Sequence, residues 1–130
     1  MSPGVRIEHV ALWVRDLDAM REFYERQLGA RSGPRYTNVA TGFVSCFVSY
    51  GEGPRIELMH RPDVRSGSVE VATGYAHVAL SLGGRPAVDA LVARLVEGGV
   101  TVESGPRVTG DGYYEAVIVD PEGNRIELTA

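Results

Sequence analysis

The chain has a single cysteine, Cys46, in 130 residues, so no intrachain disulfide can form. It has no run of basic residues and carries a net charge of −4, with a pI near 5.3. Nucleic acids and anionic membrane surfaces both demand a basic face, and are excluded as partners. No apolar stretch is long enough to span a bilayer, and the segment MSPGVRIEHV lacks the charged head and apolar core of a secretory signal. The glycine-flanked VTGDGYYE (108–115) lacks the lysine and the Ser or Thr of a phosphate loop, so nucleotide binding has no support. What remains is ordinarily globular, with 44% hydrophobic and 23% charged residues, enough to pack an interior unaided. We expect a cytoplasmic protein with a small-molecule partner.

The chain repeats itself. HVAL begins at His9 and again at His77, and RIEL begins at Arg55 and again at Arg125. The order is the same in both halves, and the gap from His to the Glu of RIEL is 48 residues in one and 50 in the other. Around these echoes the hydrophobic pattern alternates between strand and helix. IEHVALWV reads as a strand. Next comes a helix with Asp16 as N-cap, a stripe of Leu17, Met20, Phe23, Tyr24 and Leu28, and Gly29 past its end. GFVSCFVSY and PRIELMH read as strands joined by GEG, with a further strand somewhere in ARSGPRYT. The second half offers YAHVALSL, a helix with Pro86 in its first turn and a stripe of Val88, Leu91, Val92, Leu95 and Val96, a short strand VTVES, then YYEAVIVD and NRIELTA around the turn PEGN. The expected organisation over 1–130 is one α+β domain: a βαβββ module at about 5–60, a polar linker at 61–74, and a second βαβββ module at about 75–130.

Alternate residues of a strand share a face. His9, Ala11 and Trp13 therefore oppose Val10, Leu12 and Val14, while Glu57 and Glu127 lie opposite the aliphatic Ile and Leu of their own strands. The amphipathic helices dock on the aliphatic side. Each module then offers one His and one Glu on its helix-free side. Taken singly, a strand-borne His or Glu is ordinarily a solvated surface residue. Four of them on equivalent positions call for a shared cause. If the modules pair about a pseudo-twofold axis, His9, Glu57, His77 and Glu127 converge, and two imidazoles with two carboxylates suit a borderline divalent metal.

HVALWVRDLDAMREFYERQLG, GYAHVALSL, SGP and DPEGNRIEL together resemble the vicinal oxygen chelate superfamily, which contains glyoxalases, bleomycin-resistance proteins and extradiol dioxygenases. The resemblance spans essentially the whole chain. It implies paired βαβββ modules with cupped mixed sheets around a metal. The order His9, Glu57, His77, Glu127 is most similar to glyoxalase I, the lactoylglutathione lyases. That likeness implies one divalent ion per site, zinc or nickel foremost with iron, manganese or cobalt as alternatives. It also implies a homodimer whose sites are shared between subunits. The implied reaction moves a proton between adjacent carbons of a 2-oxoaldehyde–thiol adduct through a metal-stabilised enediolate. Glu127 is the first candidate for general base and Glu57 the competitor. One position departs from the pattern. Glutathione-using members carry arginine four residues past the first His, where this chain has Trp13; Arg15, Arg35 and Arg107 are the basic residues available instead. Trp13 marks either an apolar part of the substrate or a packing residue.

Other features read more plainly. Arg107 and Tyr113, beside or within VTGDGYYE, are candidates for substrate contact, although the loop itself is first of all a turn. Cys46 reads as an inert buried thiol and His60 as a surface residue. Two other functions fit the same architecture: an extradiol-type dioxygenase, which needs two His and one carboxylate, and a non-catalytic drug-binding resistance protein.

Overall fold

The computed structural model describes residues 4–67 and 71–130. It divides into two compact units, Met1–Ser66 and Gly67–Ala130. The expected linker at 61–74 lies partly outside the described residues, at 68–70.

The first unit runs β1 (His9–Trp13), α1 (Leu17–Arg26), β2 (Arg31–Ser32), β3 (Tyr36–Asn38), β4 (Phe43–Ser49) and β5 (Arg55–His60). The sheet order is β1-β5-β4-β2, with β3 also on β4. β1 and β5 are parallel and the other pairs antiparallel. The strand expected in ARSGPRYT is thus two short ones, both on β4. They part at Gly33–Pro34, where proline has no N–H to give to a ladder. Asp16 caps α1 as expected, accepting the Ala19 N–H at 3.0 Å. Gly29 follows at φ +69°, the left-handed turn that favours glycine. Leu17, Met20, Phe23 and Tyr24 of α1 are buried, as are Cys46, Val48, Ile56 and Leu58 of β4 and β5. Truncating Leu17, Met20, Ile56 or Leu58 to Ala costs about 2–5 kcal/mol.

The second unit repeats the plan with β6 (His77–Ser81), α2 (Arg85–Glu97), β7 (Thr101–Val108), β8 (Tyr114–Val119) and β9 (Arg125–Thr129), in the order β6-β9-β8-β7. Its buried layer is Val88, Val92 and Leu95 with Ala116, Ile118, Ile126 and Leu128. Val96 is 56% exposed, at the flank of a stripe narrower than expected. The short strand expected at VTVES continues through SGP to Val108, with register shifts on either side of Ser104. Gly105 makes this continuation possible. Its φ is +82°, and a Cβ there would lie 2.5 Å from the Glu115 carbonyl oxygen and 2.9 Å from Ala116 Cα. The bare backbone passes against β8, and the strand recovers its pairing with Arg107 opposite Glu115. No helix among the described residues is long and apolar enough to cross a membrane.

Candidate metal centre

Both units put the His–Glu pair on the sheet face away from the helix, and the parallel ladder explains the pairing. β1 and β5 align Ala11 with Glu57, so His9 is one same-face step away from Glu57. β6 and β9 align Ala79 with Glu127, and His77 stands in the same relation. His9 Nε2 lies 3.6 Å from Glu57 Oε1, and His77 Nε2 lies 2.9 Å from Glu127 Oε2. The imidazoles are 39% and 40% exposed and the carboxylates 17% and 19%, so the two half-sites are near copies in burial as well as position.

The spacing is close to that of two donors on one ion. Two donors each about 2.1 Å from a cation, at angles between a right angle and tetrahedral, are about 3.0–3.4 Å apart. The observed separations bracket that bite. Nitrogen and carboxylate donors suit zinc and its first-row neighbours. Among the described residues, no group of three or more His, Cys, Asp or Glu gathers. Each unit brings together one His and one Glu.

The surroundings of the two pairs differ. In the first unit, Phe47 stands opposite Glu57, and its ring meets the His9 imidazole edge-on at 5.4 Å between centroids. Arg55 lies flat over that phenyl ring, 3.8 Å from its centre. Arg55 also grips the Glu8 carboxylate through Nε at 3.1 Å and more closely through its terminal nitrogen. This guanidinium holds the Glu8 carboxyl below its ordinary pKa. In the second unit, Val117 stands opposite Glu127. A further carboxylate, Glu115, is hydrogen-bonded to Glu127; burial foremost, then that bond, raise the Glu115 pKa. Thr129, paired with both Ser81 and Glu115, has a buried hydroxyl without a hydrogen-bond partner.

The candidate substrate contacts fall in different places. Arg107 is the cross-strand partner of Glu115, which brings it beside the Glu127 row. Tyr113 ends the turn before β8 and is 58% exposed, whereas Tyr114 is tied to Asp89 of α2 by its hydroxyl and covered by Arg85. Trp13 is 47% exposed. The Arg61 guanidinium covers its ring at 4.7 Å, and Trp13 shares a cavity of about 270 Å³ with Arg61, Asp63, Val64 and Arg65. Asp63 pairs with Arg61 at 2.7 Å. The sequence did not single out Arg61 and Arg65 because RPDVR, directly after β5, has the polar composition of a linker. Two arginines so close to that strand were the available signal. Arg35 pairs instead with Asp18 at 2.8 Å, and Arg15 donates to Ser66.

Two smaller expectations can be judged. Cys46 is a buried free thiol whose pKa is pushed up by burial, as an inert core residue requires. His60 is not a surface residue. It faces the helix side, half-buried, with Nδ1 2.8 Å from the Val14 carbonyl oxygen, and so ties the end of β5 to the chain leaving β1.

Comparison with known proteins agrees with this architecture. The sequence model of the Glyoxalase/Bleomycin resistance protein/Dioxygenase superfamily matches residues 6–128. The lactoylglutathione lyase of Escherichia coli O157:H7 is 35% identical over 128 residues, covering 95% of this chain and 91% of that protein. The Haemophilus influenzae lactoylglutathione lyase is 33% identical over 127 residues, with the same coverage. Among solved structures, the trypanothione-dependent glyoxalase I of Leishmania major superposes with a TM-score of 0.79 at 26% identity, over 97% of this chain and 86% of that one. Glyoxalase I from Zea mays shares the fold, with a TM-score of 0.82 at 22% identity over 95% of this chain and 44% of its own. The chain therefore belongs to the glyoxalase/bleomycin resistance protein/dioxygenase superfamily and, within it, groups with the lyases of the glyoxalase I type. Such homologues imply a divalent metal cofactor, and the donor set here fits one.

Proposed function

We propose that the protein isomerises the adduct of a small 2-oxoaldehyde with a thiol to a 2-hydroxy thioester. The observation that carries this reading is the pair of matched His–Glu couples, whose separations of 3.6 and 2.9 Å fall on either side of the bite of one cation. His9, Glu57, His77 and Glu127 would hold that ion, with zinc or nickel first and iron, manganese or cobalt behind. Bound there, it supplies Lewis-acid stabilisation of the negative charge that develops on two adjacent substrate oxygens.

The proton belongs to the carboxylates. Glu127 takes it from the carbon bearing the hydroxyl and the sulfur, and the electron pair moves toward the neighbouring carbonyl. The same carboxyl returns a proton to that neighbouring carbon while the hydroxyl proton passes to the second oxygen. Substrate and product are isomers, so no co-reactant is needed. Glu57 is the competing base. The two carboxylates differ in setting: Glu57 faces Phe47, whereas Glu127 has Glu115 and the Thr129 hydroxyl on neighbouring positions. At roughly 3.3 Å per residue, Trp13 lies about 13 Å along β1 from His9, within reach of a thiol's tail. Arg61 and Arg65 outnumber Asp63 there, which supports a thiol bearing an anionic group. Arg107 and Tyr113 are the substrate contacts proposed in the second unit. Two ligands per unit also fit a homodimer with shared sites.

The decisive experiment loads purified protein with zinc or nickel and follows thioester formation from methylglyoxal adducts of glutathione and of other thiols. We expect about one divalent ion per site, loss of activity on chelation, and recovery on reloading. Glu127→Gln should lower kcat by about 10²–10⁴-fold, as loss of a general base does, with a smaller fall for Glu57→Gln. Retention of stoichiometric metal by His9→Ala/His77→Ala would overturn the ligand set. Inactivity with every thiol adduct would overturn the reaction, and oxygen uptake with catechols would replace it by a dioxygenase.

A further inference from the structure

One departure from the duplication lies next to the proposed metal ligand His9. Glu8 precedes His9, and its carboxylate oxygen Oε1 lies 3.3 Å from His9 Nδ1. Arg55 anchors that same oxygen and continues over the Phe47 ring, which closes back on His9 edge-on. The circuit His9–Glu8–Arg55–Phe47 contacts the imidazole at Nδ1 and at its edge. The backbone adds to it, since the Arg55 N–H donates to the Glu8 carbonyl at 3.0 Å. In the second unit the residue before His77 is Ala76. Arg125, the counterpart of Arg55, binds Glu103 instead, through Nε at 2.8 and 3.0 Å.

We propose that Glu8 is a positioning residue for the cation site: it accepts the His9 Nδ1 proton, thereby turning the Nε2 lone pair toward Glu57, and it does so in the first unit alone. A metal-binding imidazole needs its free nitrogen unprotonated and aimed, and a carboxylate on the other nitrogen secures both. Arg55 keeps Glu8 in place, since an exposed glutamate has several rotamers and would otherwise spend little time on His9. The inference rests on the metal-site reading above for its consequence, but not for its geometry.

Two measurements test it. In metal-free protein, nitrogen-15 NMR of the imidazoles should show His9 as the Nδ1–H tautomer. In Glu8→Ala this preference should be lost while His77 is unchanged. Competition against a chromophoric chelator should show Glu8→Ala weakening zinc by about 10–100-fold, the usual cost of removing such a partner. Glu8→Gln, equally uncharged but still an acceptor, should lose less than Glu8→Ala. Equal losses in the two variants would assign the effect to charge and overturn the positioning role, as would an unchanged His9 tautomer in Glu8→Ala. A wild-type protein that binds no zinc would defeat the metal-site reading by itself, and the tautomer measurement would still decide for or against Glu8.

Discussion

Thr109 shapes the turn between β7 and β8 with its side chain. Its hydroxyl accepts the Tyr113 N–H at 3.1 Å and donates to Asp111, lowering the Asp111 carboxyl pKa below its ordinary value. A group whose pKa falls on folding contributes stability above its unfolded value of about 3.8, and loses that contribution as pH drops through the folded value. Thr109→Val should therefore return Asp111 toward 3.8 in a carboxyl carbon-13 titration. Its stability deficit against wild type should shrink as the pH falls below that point, while Thr109→Ser retains the shift. Single residues of this kind divide cleanly by legibility. The four proposed metal ligands announced themselves because duplication wrote them twice and strand parity gave their face. Glu8, Arg61 and Glu115 have no such echo. Each matters through a neighbour more than 40 residues distant or on another strand, which one-dimensional pattern does not carry.

The two SGP segments show where reading by elements succeeds and where it stops. Identical letters, Ser32-Gly33-Pro34 and Ser104-Gly105-Pro106, occupy corresponding places in the two halves. In the first the strand breaks, and in the second it bulges and continues. Gly33 has ordinary φ and open room, with the nearest atom to a built Cβ 3.9 Å away, whereas Gly105 has neither. Gly33→Ala should thus change stability by no more than about 0.5 kcal/mol. Gly105→Ala should cost about 2–5 kcal/mol, combining the left-handed backbone with overpacking against β8. Urea unfolding of the two variants checks both values. The Gly105 variant should also disturb the Arg107–Glu115 pairing and so raise KM. Helices and central strands were legible because their periodicity is long and their caps explicit: Asp16, Gly29 and Pro86 all stand where the pattern put them. The bounds of β2, β3 and β7 were not, because their length depends on what the neighbouring strand leaves room for.

At the scale of the molecule, two similar units each bury their own helix-on-sheet layer and each carry half of the proposed ligand set. A duplicated chain can complete four ligands either from its own two halves or by exchanging halves with a second copy. Mixing single variants separates these. If sites are shared, a dimer of one His9→Ala chain with one His77→Ala chain contains one site missing both imidazoles and one missing none. Random pairing of equal amounts makes half the dimers mixed, so about a quarter of wild-type sites should be restored in number. Metal content and turnover should rise together to that level after the inactive variants are unfolded and refolded as a mixture. If each site is built within one chain, every site in the mixture still lacks one imidazole and nothing is regained. The measurement also needs no knowledge of the substrate's tail, since zinc stoichiometry alone reads it.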